Sequence, residues 1–280
     1  MACERRFRAM QTLRDVIGRT GGSRGRGVSP SRWNEILPPV ALLAALIVVW
    51  ELAVTWFEIP AIILPKPSEI ASALINGMSR GTLPPDVATT LVEIVLGFFI
   101  GVAVGGLLGV AVAEVPIVER LVYPYVVALH SIPVLAIAPI IVIWLGLGLA
   151  SKIAVVVLIT FFPLTVNTVQ GLRAVSASQV EMLRSFGASR GQVMRMARLP
   201  SALPYIFAGL DVAAINAVIG AVVAEWLGAT GGLGSRILRL TFQLDVAGMF
   251  AVLVILALLG MLAHRLVRAI ERRVVFWHQA

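Results

Sequence analysis

The sequence predicts an all-α membrane protein with six transmembrane helices, and three observations support this fold class. Hydrophobic residues make up 59% of the 280 residues, charged residues make up only 14%, and the mean hydropathy is +0.93. A soluble domain carries about a quarter charged residues, because it must present a polar surface to water. The apolar residues are collected in six long runs, and the basic residues lie mainly between those runs.

Each of the six runs is long enough to cross a bilayer, which takes a helix of roughly 20 apolar residues. The expected spans lie at about 37–57, 87–113, 121–145, 152–172, 205–227 and 246–266. The third run contains Pro133 and Pro139. We therefore expect that helix to kink, with its freed carbonyl groups bonded by neighbouring helices.

The 23 lysine and arginine residues predict the orientation of the chain. If the N-terminus is cytoplasmic, the inside segments carry eight, one, five and four of them, and the outside segments carry two, one and two. Because basic residues are enriched in cytoplasmic loops, this distribution predicts that both termini are cytoplasmic. It also explains the net charge of +8 without a nucleic-acid surface.

The expected organisation is a flexible, arginine-rich cytoplasmic tail (1–35), a six-helix transmembrane domain (36–267) and a basic cytoplasmic tail (268–280). A cleaved signal peptide is not expected, because its apolar region would begin much nearer the start of the chain. The single cysteine, Cys3, excludes an intramolecular disulfide framework and a multi-cysteine metal site. The three histidines have no ligand-like spacing, so no metal site is expected.

Three glycines, Gly101, Gly105 and Gly109, follow one another at four-residue intervals in the second span. Residues four apart lie on the same face of a helix, and small residues there let a second helix approach closely. We expect a helix–helix contact along this face, a packing feature that does not identify a function.

The loop at 173–204 is longer than a simple connection between two spans, which indicates local structure or a function. Ser178 followed by Glu181 is a capping-box pattern that predicts the start of a short helix. Gly187 is expected to end that helix in the left-handed conformation.

A second short helix is expected to follow directly in the same loop. Ser189 and Gln192 repeat the capping-box pattern, and the helix is expected to stop before Pro200. Both short helices are amphipathic and carry arginines. The residues alone leave two interpretations open, a pair of helices lying on anionic lipid and a docking element for a cytoplasmic partner.

The same loop resembles the EAA loop of ABC-importer permeases, whose pattern is E-A-A, three residues, G, nine residues and I-x-L-P. The spacing is fully kept. The matching residues are Glu181, Gly187, Leu199 and Pro200. Met182, Leu183 and Ala197 depart from the two alanines and the isoleucine of the pattern.

Further motifs extend this resemblance over roughly residues 37–277. They look like the nitrate/sulfonate/taurine branch of these permeases. The motifs are Ser131-Ile132-Pro133 with Ala138-Pro139 and Trp144-Leu145-Gly146, Phe186-Gly187-Ala188-Ser189 with Leu199-Pro200-Ser201-Ala202-Leu203-Pro204, and Ala224-Glu225-Trp226-Leu227-Gly228 with Gly232-Leu233-Gly234.

The resemblance implies a non-catalytic transport subunit that forms the path for a small solute. Its implied partners are two cytoplasmic ABC ATPase subunits, a second permease copy and an extracytoplasmic substrate-binding protein. This chain would bind no cofactor, since ATP and Mg²⁺ would sit on the ATPase. The implied cargo is an anion such as nitrate, a sulfonate or taurine, or a small heterocycle such as a pyrimidine vitamin precursor. The implied ATPase-docking residues are Glu181, Met182, Leu183, Arg184, Phe186, Gly187, Ala188, Leu199 and Pro200. The resemblance also implies that a side chain at Gly187 would block the tight turn between the two short helices.

Polar residues inside the spans are candidates for the translocation path, because they are costly in lipid unless they have a role. The candidates are His130, Ser131, Asn167, Asp211, Asn216 and Glu225. Hydrogen bonding between helices is an alternative role for each. Glu93 and Glu225 lie near span ends, so we expect them to reach interfacial water. Asp211 lies deeper, with no basic residue expected beside it.

Two other classes of protein remain as alternatives. An ion-coupled secondary carrier or channel would also be a helical bundle, but it would need no docking loop, and the two halves of the chain show no convincing inverted repeat. An intramembrane enzyme is disfavoured, because the sequence contains neither H-E-x-x-H nor G-x-S-x-G.

Overall fold

The computed structural model describes residues 32–228 and 230–277, and the side chains from residue 37 onward. Within these ranges the regular structure is helical throughout. Most of the predicted N-terminal tail, residues 1–31, and the last three residues of the C-terminal tail lie outside the described residues. The helices are α1 (Arg32–Trp56), α2 (Pro67–Ser79), α3 (Pro84–Glu114), α4 (Pro116–Ser131), α5 (Val134–Leu145), α6 (Leu149–Arg173), α7 (Ala177–Ser185), α8 (Arg190–Val193), α9 (Leu199–Trp226), α10 (Leu233–Gln243) and α11 (Val246–Val274).

Five of the described helical segments are long and apolar enough to cross a membrane, and each overlaps a predicted span. They are Leu37–Trp56, Pro84–Glu114, Leu149–Arg173, Arg190–Trp226 and Val246–Val274. The predicted third span is divided into α4 and α5, which meet at an angle of 103°. The break falls at Ile132 and Pro133, where a kink was predicted, whereas Pro139 lies inside α5 without a break. The described chain therefore has five candidate spans by length and composition, or six if the bent pair counts as one.

The chain divides into two compact units, residues 1–53 and 54–280. The described part of the first unit belongs to α1, an apolar helix with Pro38 and Pro39 near its start. The second unit contains the last residues of α1 and all the later helices.

The centre of the second unit is α6, which packs along both α3 and α9. Gly101, Gly105 and Gly109 of α3 are buried and face α6, which confirms the predicted close contact. A Cβ atom at Gly105 would meet the backbone of Phe161. The hydroxyl group of Thr165 donates a hydrogen bond to the carbonyl oxygen of Gly105 at 3.1 Å. The two backbones are thus held close together by small residues and by a direct polar contact.

The first short helix of the predicted loop, α7, begins two residues earlier than expected. Its N-cap is Ser176, whose hydroxyl oxygen accepts a hydrogen bond from the Gln179 amide at 3.4 Å. The predicted Ser178–Glu181 box is therefore wrong, because Ser176 is the last residue with extended backbone and Ser178 already lies inside the helix. The predicted end is confirmed, since Gly187 has φ +81° and the Ala188 amide bonds to the Leu183 carbonyl oxygen at 3.0 Å.

The second short helix begins as predicted but does not end as predicted. The Ser189 amide donates to Gln192 at 2.7 Å and the Gln192 amide donates to Ser189 at 3.3 Å, which confirms the capping box. From α8 the chain continues through a π-helical turn, Met194–Arg198, directly into α9. Pro200 lies in the first turn of α9, so the expected stop before it is wrong. A proline interrupts the i→i−4 hydrogen-bond pattern because it lacks an N–H group. The π turn directly before Pro200 already departs from that pattern, so the proline is tolerated there.

Candidate functional site

Two regions of the second unit gather charged or exposed residues. The first, here called the helical loop, comprises residues 174–198 between α6 and α9. The second, here called the polar cluster, lies where α6 begins and α9 ends, and consists of Asp86, Thr90, Glu93, Lys152, Glu225, Gly232, Leu233, Gly234, Arg236 and Arg239. Since the 25 residues of α6 measure about 37 Å at 1.5 Å per residue, the two regions lie at opposite ends of the α6–α9 pair.

Ion pairs at both ends of the helical loop hold it to the α3–α4 connection. Arg173, the last residue of α6, pairs with Glu119 at 2.7 Å. Arg198, the last residue of the π turn, pairs with Glu114 at the end of α3. Both pairs are partly exposed, so water screens them and they contribute little to stability. Their main effect is geometric, because they fix the loop to a second element of the unit.

Large apolar side chains are exposed on the helical loop. Phe186 is 83% exposed, Met196 66% and Met182 54%. A groove of about 530 Å³ lies between α7 and the start of α9, with Met182, Leu183 and Met196 among its lining residues. Among the implied docking residues, the exposed ones are Glu181, Met182, Arg184, Phe186, Gly187 and Leu199, and the partly buried ones are Leu183, Ala188 and Pro200.

The polar cluster begins on one face of α3. Asp86, Thr90 and Glu93 follow one another at intervals of four and three residues, on the face that continues into the buried glycines. The Asp86 carboxylate accepts hydrogen bonds from Arg236 at 3.1 Å and Arg239 at 3.0 Å, both on α10. This carboxylate therefore holds α10 against the start of α3.

Three consecutive backbone amides at the start of α10 are bonded by side chains from other helices. The Gly232 amide donates to Asp86 at 3.0 Å, and the Leu233 amide donates to the Thr90 hydroxyl oxygen at 2.8 Å. The Gly234 amide donates to the Glu225 carboxyl group, whose other oxygen accepts from the Thr90 hydroxyl at 2.6 Å. The first N–H groups of a helix have no partner within the helix, and carboxyl groups are favoured there.

The glycines of this turn are required by its geometry. Gly232 has φ +106°, a conformation that side-chain-bearing residues rarely adopt. A Cβ atom at Gly234 would lie 2.9 Å from the Glu225 Oε2 atom, and one at Gly232 would also overlap that carboxyl group. The Gly232-Leu233-Gly234 motif thus leaves the space in which Glu225 is buried.

A buried ion pair connects α3 to α6. Lys152 Nζ lies 2.6 Å from Glu93 Oε1; the side chain of Glu93 is fully buried and that of Lys152 is 10% exposed. Removing one partner of such a pair leaves an uncompensated buried charge, which costs about 3–5 kcal/mol.

The structure corrects two expectations about acidic residues. Glu93 and Glu225 are both 0% exposed, so neither reaches interfacial water; each is enclosed by the polar cluster. Asp211 was expected to lack a basic partner, but its carboxylate lies 2.6 Å from His264 Nδ1 and 3.5 Å from Arg268 Nε. The reason is that α11 continues to Val274, beyond the predicted end of the last span at 266, and carries Arg268 alongside α9.

The structure does not bring the six path candidates into one site. Asp211 and Glu225 are 14 residues apart on α9, which is about 21 Å. The His130 ring stacks on Phe162 with 3.6 Å between centroids. Ser131 donates to the Val127 carbonyl oxygen and Asn167 to that of Pro163, so both bond to their own helix. Asn216 is partly buried on α9.

Sequence reasoning did not single out Asp86, Thr90, Lys152, Arg236 and Arg239 as site residues. One signal for them was present, since Asp86, Thr90 and Glu93 extend the glycine face of α3 with the same helical spacing. Their partners on α6, α9 and α10 come from distant parts of the chain, and no local pattern indicates them.

Comparisons with known proteins give a consistent result. Residues 97–276 match the family described as binding-protein-dependent transport system inner membrane component. The chain is 38% identical to the formylaminopyrimidine transport permease protein ThiX of Halalkalibacterium halodurans, over 89% of this chain and 98% of the relative. It is 35% identical to the riboflavin transport system permease protein RibX of Chloroflexus aurantiacus, over 91% and 94%. It is 31% identical to the taurine transport system permease protein TauC of Escherichia coli, over 88% and 93%.

Solved structures share the fold. One chain of the MetNI methionine ABC transporter in inward-facing conformations has a TM-score of 0.54 and 26% identity, covering 67% of this chain and 91% of that chain. A chain of an amino acid ABC transporter has a TM-score of 0.58 at 18% identity, covering 70% and 98%, and shows likeness of fold alone. The protein therefore belongs to the binding-protein-dependent transport system inner membrane components and is an inner-membrane permease of an ABC transporter.

Proposed function

We propose that this permease crosses the membrane six times, with both termini and the helical loop in the cytoplasm and the polar cluster at the opposite face. The distribution of basic residues supports this orientation, because the segment 173–204 alone carries five arginines. The distance of about 37 Å along α6 also supports it, since the hydrocarbon core of a bilayer is about 30 Å thick.

In this proposal the helical loop docks into a groove on a cytoplasmic ABC ATPase. The observation that carries it is the exposure of Phe186, Met182 and Met196 on a segment with the spacing of the EAA loop. Exposed apolar side chains on a short amphipathic helix are the usual means of docking a helix into a groove. Glu181, Arg184 and Gly187 would flank the contact.

The docked loop would act as a rigid lever on the bundle. It is fixed to α3 and α4 by the ion pairs of Arg173 and Arg198, and it is continuous with α9 through the π turn. When ATP binding closes the two ATPase subunits, movement of the docked loops would be transmitted to α6 and α9. The permease would thereby change from inward-facing to outward-facing, and hydrolysis would reverse the change.

The proposed assembly contains two permease copies, two ATPase subunits and an extracytoplasmic substrate-binding protein. ATP and Mg²⁺ would bind to the ATPase, and this chain would catalyse no reaction itself. We propose a small solute as cargo. A nitrogen heterocycle is favoured over a sulfonate, because the relatives at 38% and 35% identity are named for formylaminopyrimidine and riboflavin, whereas those at 31% and 29% are named for taurine and aliphatic sulfonates.

The docking proposal is tested by a matched pair of exposed phenylalanines. Phe186, 83% exposed, lies on the helical loop, and Phe242, 85% exposed, lies on α10 near the polar cluster. In membranes that contain the ATPase, Phe186→Asp should abolish co-purification of the ATPase and ATP-dependent uptake, with normal permease levels. Phe242→Asp should retain co-purification. Normal co-purification with Phe186→Asp, or equal loss with both variants, would contradict the proposal.

A further inference from the structure

One oxygen atom of the polar cluster has no hydrogen-bond partner among the described residues. It is Glu93 Oε2, in a residue that is 0% exposed. The other oxygen of the same carboxyl group, Oε1, accepts from Lys152 at 2.6 Å. A buried carboxyl oxygen without a donor is costly, so its surroundings indicate what is missing.

The neighbour of this carboxyl group is a second carboxyl group. Glu93 lies three residues after Thr90 on the same buried face of α3, and the Thr90 hydroxyl bonds to Glu225 at 2.6 Å, so the two carboxyl groups interact with each other. Glu225, also 0% exposed, already accepts one hydrogen from Thr90 and one from the Gly234 amide. No donor in the described structure bonds to Glu93 Oε2, and an ionised Glu225 could only accept, so it could not supply the missing hydrogen.

The charges around the two carboxyl groups also indicate a bound proton. Lys152 neutralises one carboxylate, while Arg236 and Arg239 are both directed to Asp86, about two turns away on α3. Two ionised carboxylates side by side with a single ammonium group would leave one buried negative charge without a counter-ion. Carboxyl pairs in this situation share a proton, because like charges this close disfavour double ionisation.

We propose that the polar cluster is a proton-binding site, in which one proton is held between the carboxyl groups of Glu93 and Glu225. The bound proton completes the hydrogen bonding of both groups and joins α3 to α9 at this end of the unit. Through Thr90 and Gly234 it also supports the start of α10. The site does not depend on the docking of the helical loop, so it can be tested independently of the proposed function.

A metal cation is a poor alternative occupant. The ammonium group of Lys152 touches the same carboxylate, and the remaining oxygens of Thr90 and Glu225 are already engaged in hydrogen bonds. Sodium and similar cations require several free oxygen ligands. A proton requires only one oxygen from each carboxyl group.

The direct test is infrared spectroscopy of the full chain in lipid nanodiscs at neutral pH, in which the spectrum of each variant is subtracted from that of the natural protein. A protonated carboxylic acid has a C=O stretch above the carboxylate bands, and the band shifts in D₂O. We expect such a band in the natural protein and its loss in both Glu225→Gln and Glu93→Gln. The control Asp211→Asn removes a carboxyl group outside the cluster and should retain the band.

Thermal stability provides the second readout. Because the folded protein holds a proton that an unfolded glutamate has released, the melting temperature of the natural protein should fall as the pH rises. In Glu93→Gln the amide oxygen still accepts from Lys152 and the amide N–H is a permanent donor to Glu225, so this dependence should be lost while the protein stays folded. An unchanged infrared band in both variants, an equal alkaline loss of stability in Glu93→Gln, or stabilisation of the natural protein by sodium would overturn the proposal.

Discussion

The backbone of Gly187 determines the shape of the helical loop more than any space around it. Its φ of +81° lies in the left-handed region, and a Cβ atom there would meet no atom within 4 Å. The sequence predicted the left-handed end of the helix correctly. The resemblance implied that a side chain would block the turn; the restriction is present, but its cause is the dihedral angle and not a neighbouring atom.

We expect Gly187→Ala to reduce ATP-dependent uptake several-fold with unchanged membrane levels. An alanine in the left-handed region costs about 1–2 kcal/mol, so the turn between α7 and α8 would populate other conformations. Uptake of the labelled cargo, normalised to the permease detected in the membrane, measures the effect. Gly187→Asn should lose less, since asparagine tolerates this conformation better than alanine.

Gly191 is the matched control for that prediction. It lies in α8, four residues further on, and a Cβ atom there also meets nothing within 4 Å, but its φ is not positive. Gly191→Ala should therefore leave uptake unchanged. Equal uptake by the two alanine variants would show that the left-handed turn is not needed for transport.

At the scale of the element, α3 has one continuous buried face that is polar in its N-terminal part and lined by glycines further along. The prediction from four-residue spacing succeeded for the glycines, because helix periodicity is a local property. It did not extend to the polar part, because the partners of Asp86, Thr90 and Glu93 lie on three other helices. The position of the Gly232–Gly234 turn beside α3 depends on tertiary packing that no local pattern records.

Two adjacent glycines of α3 allow the effect of close packing on stability to be measured apart from that of helix propensity. A Cβ atom at Gly105 would lie 3.0 Å from the backbone carbon of Phe161, whereas one at Gly106 would lie 3.7 Å from a side-chain atom of Leu164. We expect Gly105→Ala to destabilise the protein by about 1–3 kcal/mol through overpacking. Gly106→Ala should be neutral or stabilising by up to about 1 kcal/mol, since alanine is the better helix former.

Thermal unfolding of both variants in the same nanodiscs measures this difference. The two substitutions are identical in chemistry and one residue apart, so effects on insertion and expression cancel. A melting temperature for Gly105→Ala equal to or above that of Gly106→Ala would show that α3 and α6 separate more easily than their contact indicates.

The continuous helix from α8 to α9 shows where a sequence rule fails for a physical reason. Proline normally ends a helix at the preceding residue, and this predicted a stop before Pro200. The π turn at Met194–Arg198 instead carries the helix past the proline, so the second half of the helical loop is joined to a span. A force applied to the helical loop would therefore reach α9 without passing through a flexible connection.

At the scale of the whole second unit, α6 and α9 connect two differently built ends. At one end the polar cluster joins α3, α6, α9 and α10 through buried charges and backbone amides. At the other end, exposed ion pairs join the helical loop to the α3–α4 connection. Buried polar contacts are strong only while fully satisfied, whereas exposed pairs exchange readily with water. We therefore expect rearrangements to begin at the helical-loop end.

The bent pair α4 and α5 decides the topology of everything that follows it. With the N-terminus in the cytoplasm, as proposed, a pair that crosses the membrane gives six spans and a cytoplasmic helical loop. A pair that enters and leaves on one side gives five spans and places the helical loop on the opposite side. The 103° bend is compatible with either path by length and composition.

Cysteine labelling distinguishes these paths. In a Cys3→Ser background, Ile117→Cys places a single thiol at an exposed position in the first turn of α4. Leu147→Cys places one at an exposed position just after the end of α5. We expect a membrane-impermeant maleimide to label Leu147→Cys in intact cells but to label Ile117→Cys only after the membrane is opened. Ser178→Cys on the helical loop should behave like Ile117→Cys, and Gln243→Cys on α10 should behave like Leu147→Cys. Labelling of Ile117→Cys and Leu147→Cys from the same side would establish a re-entrant pair. If Ile117 were then on the cytoplasmic side, a re-entrant pair would place the helical loop outside the cell, where no ATPase could reach it.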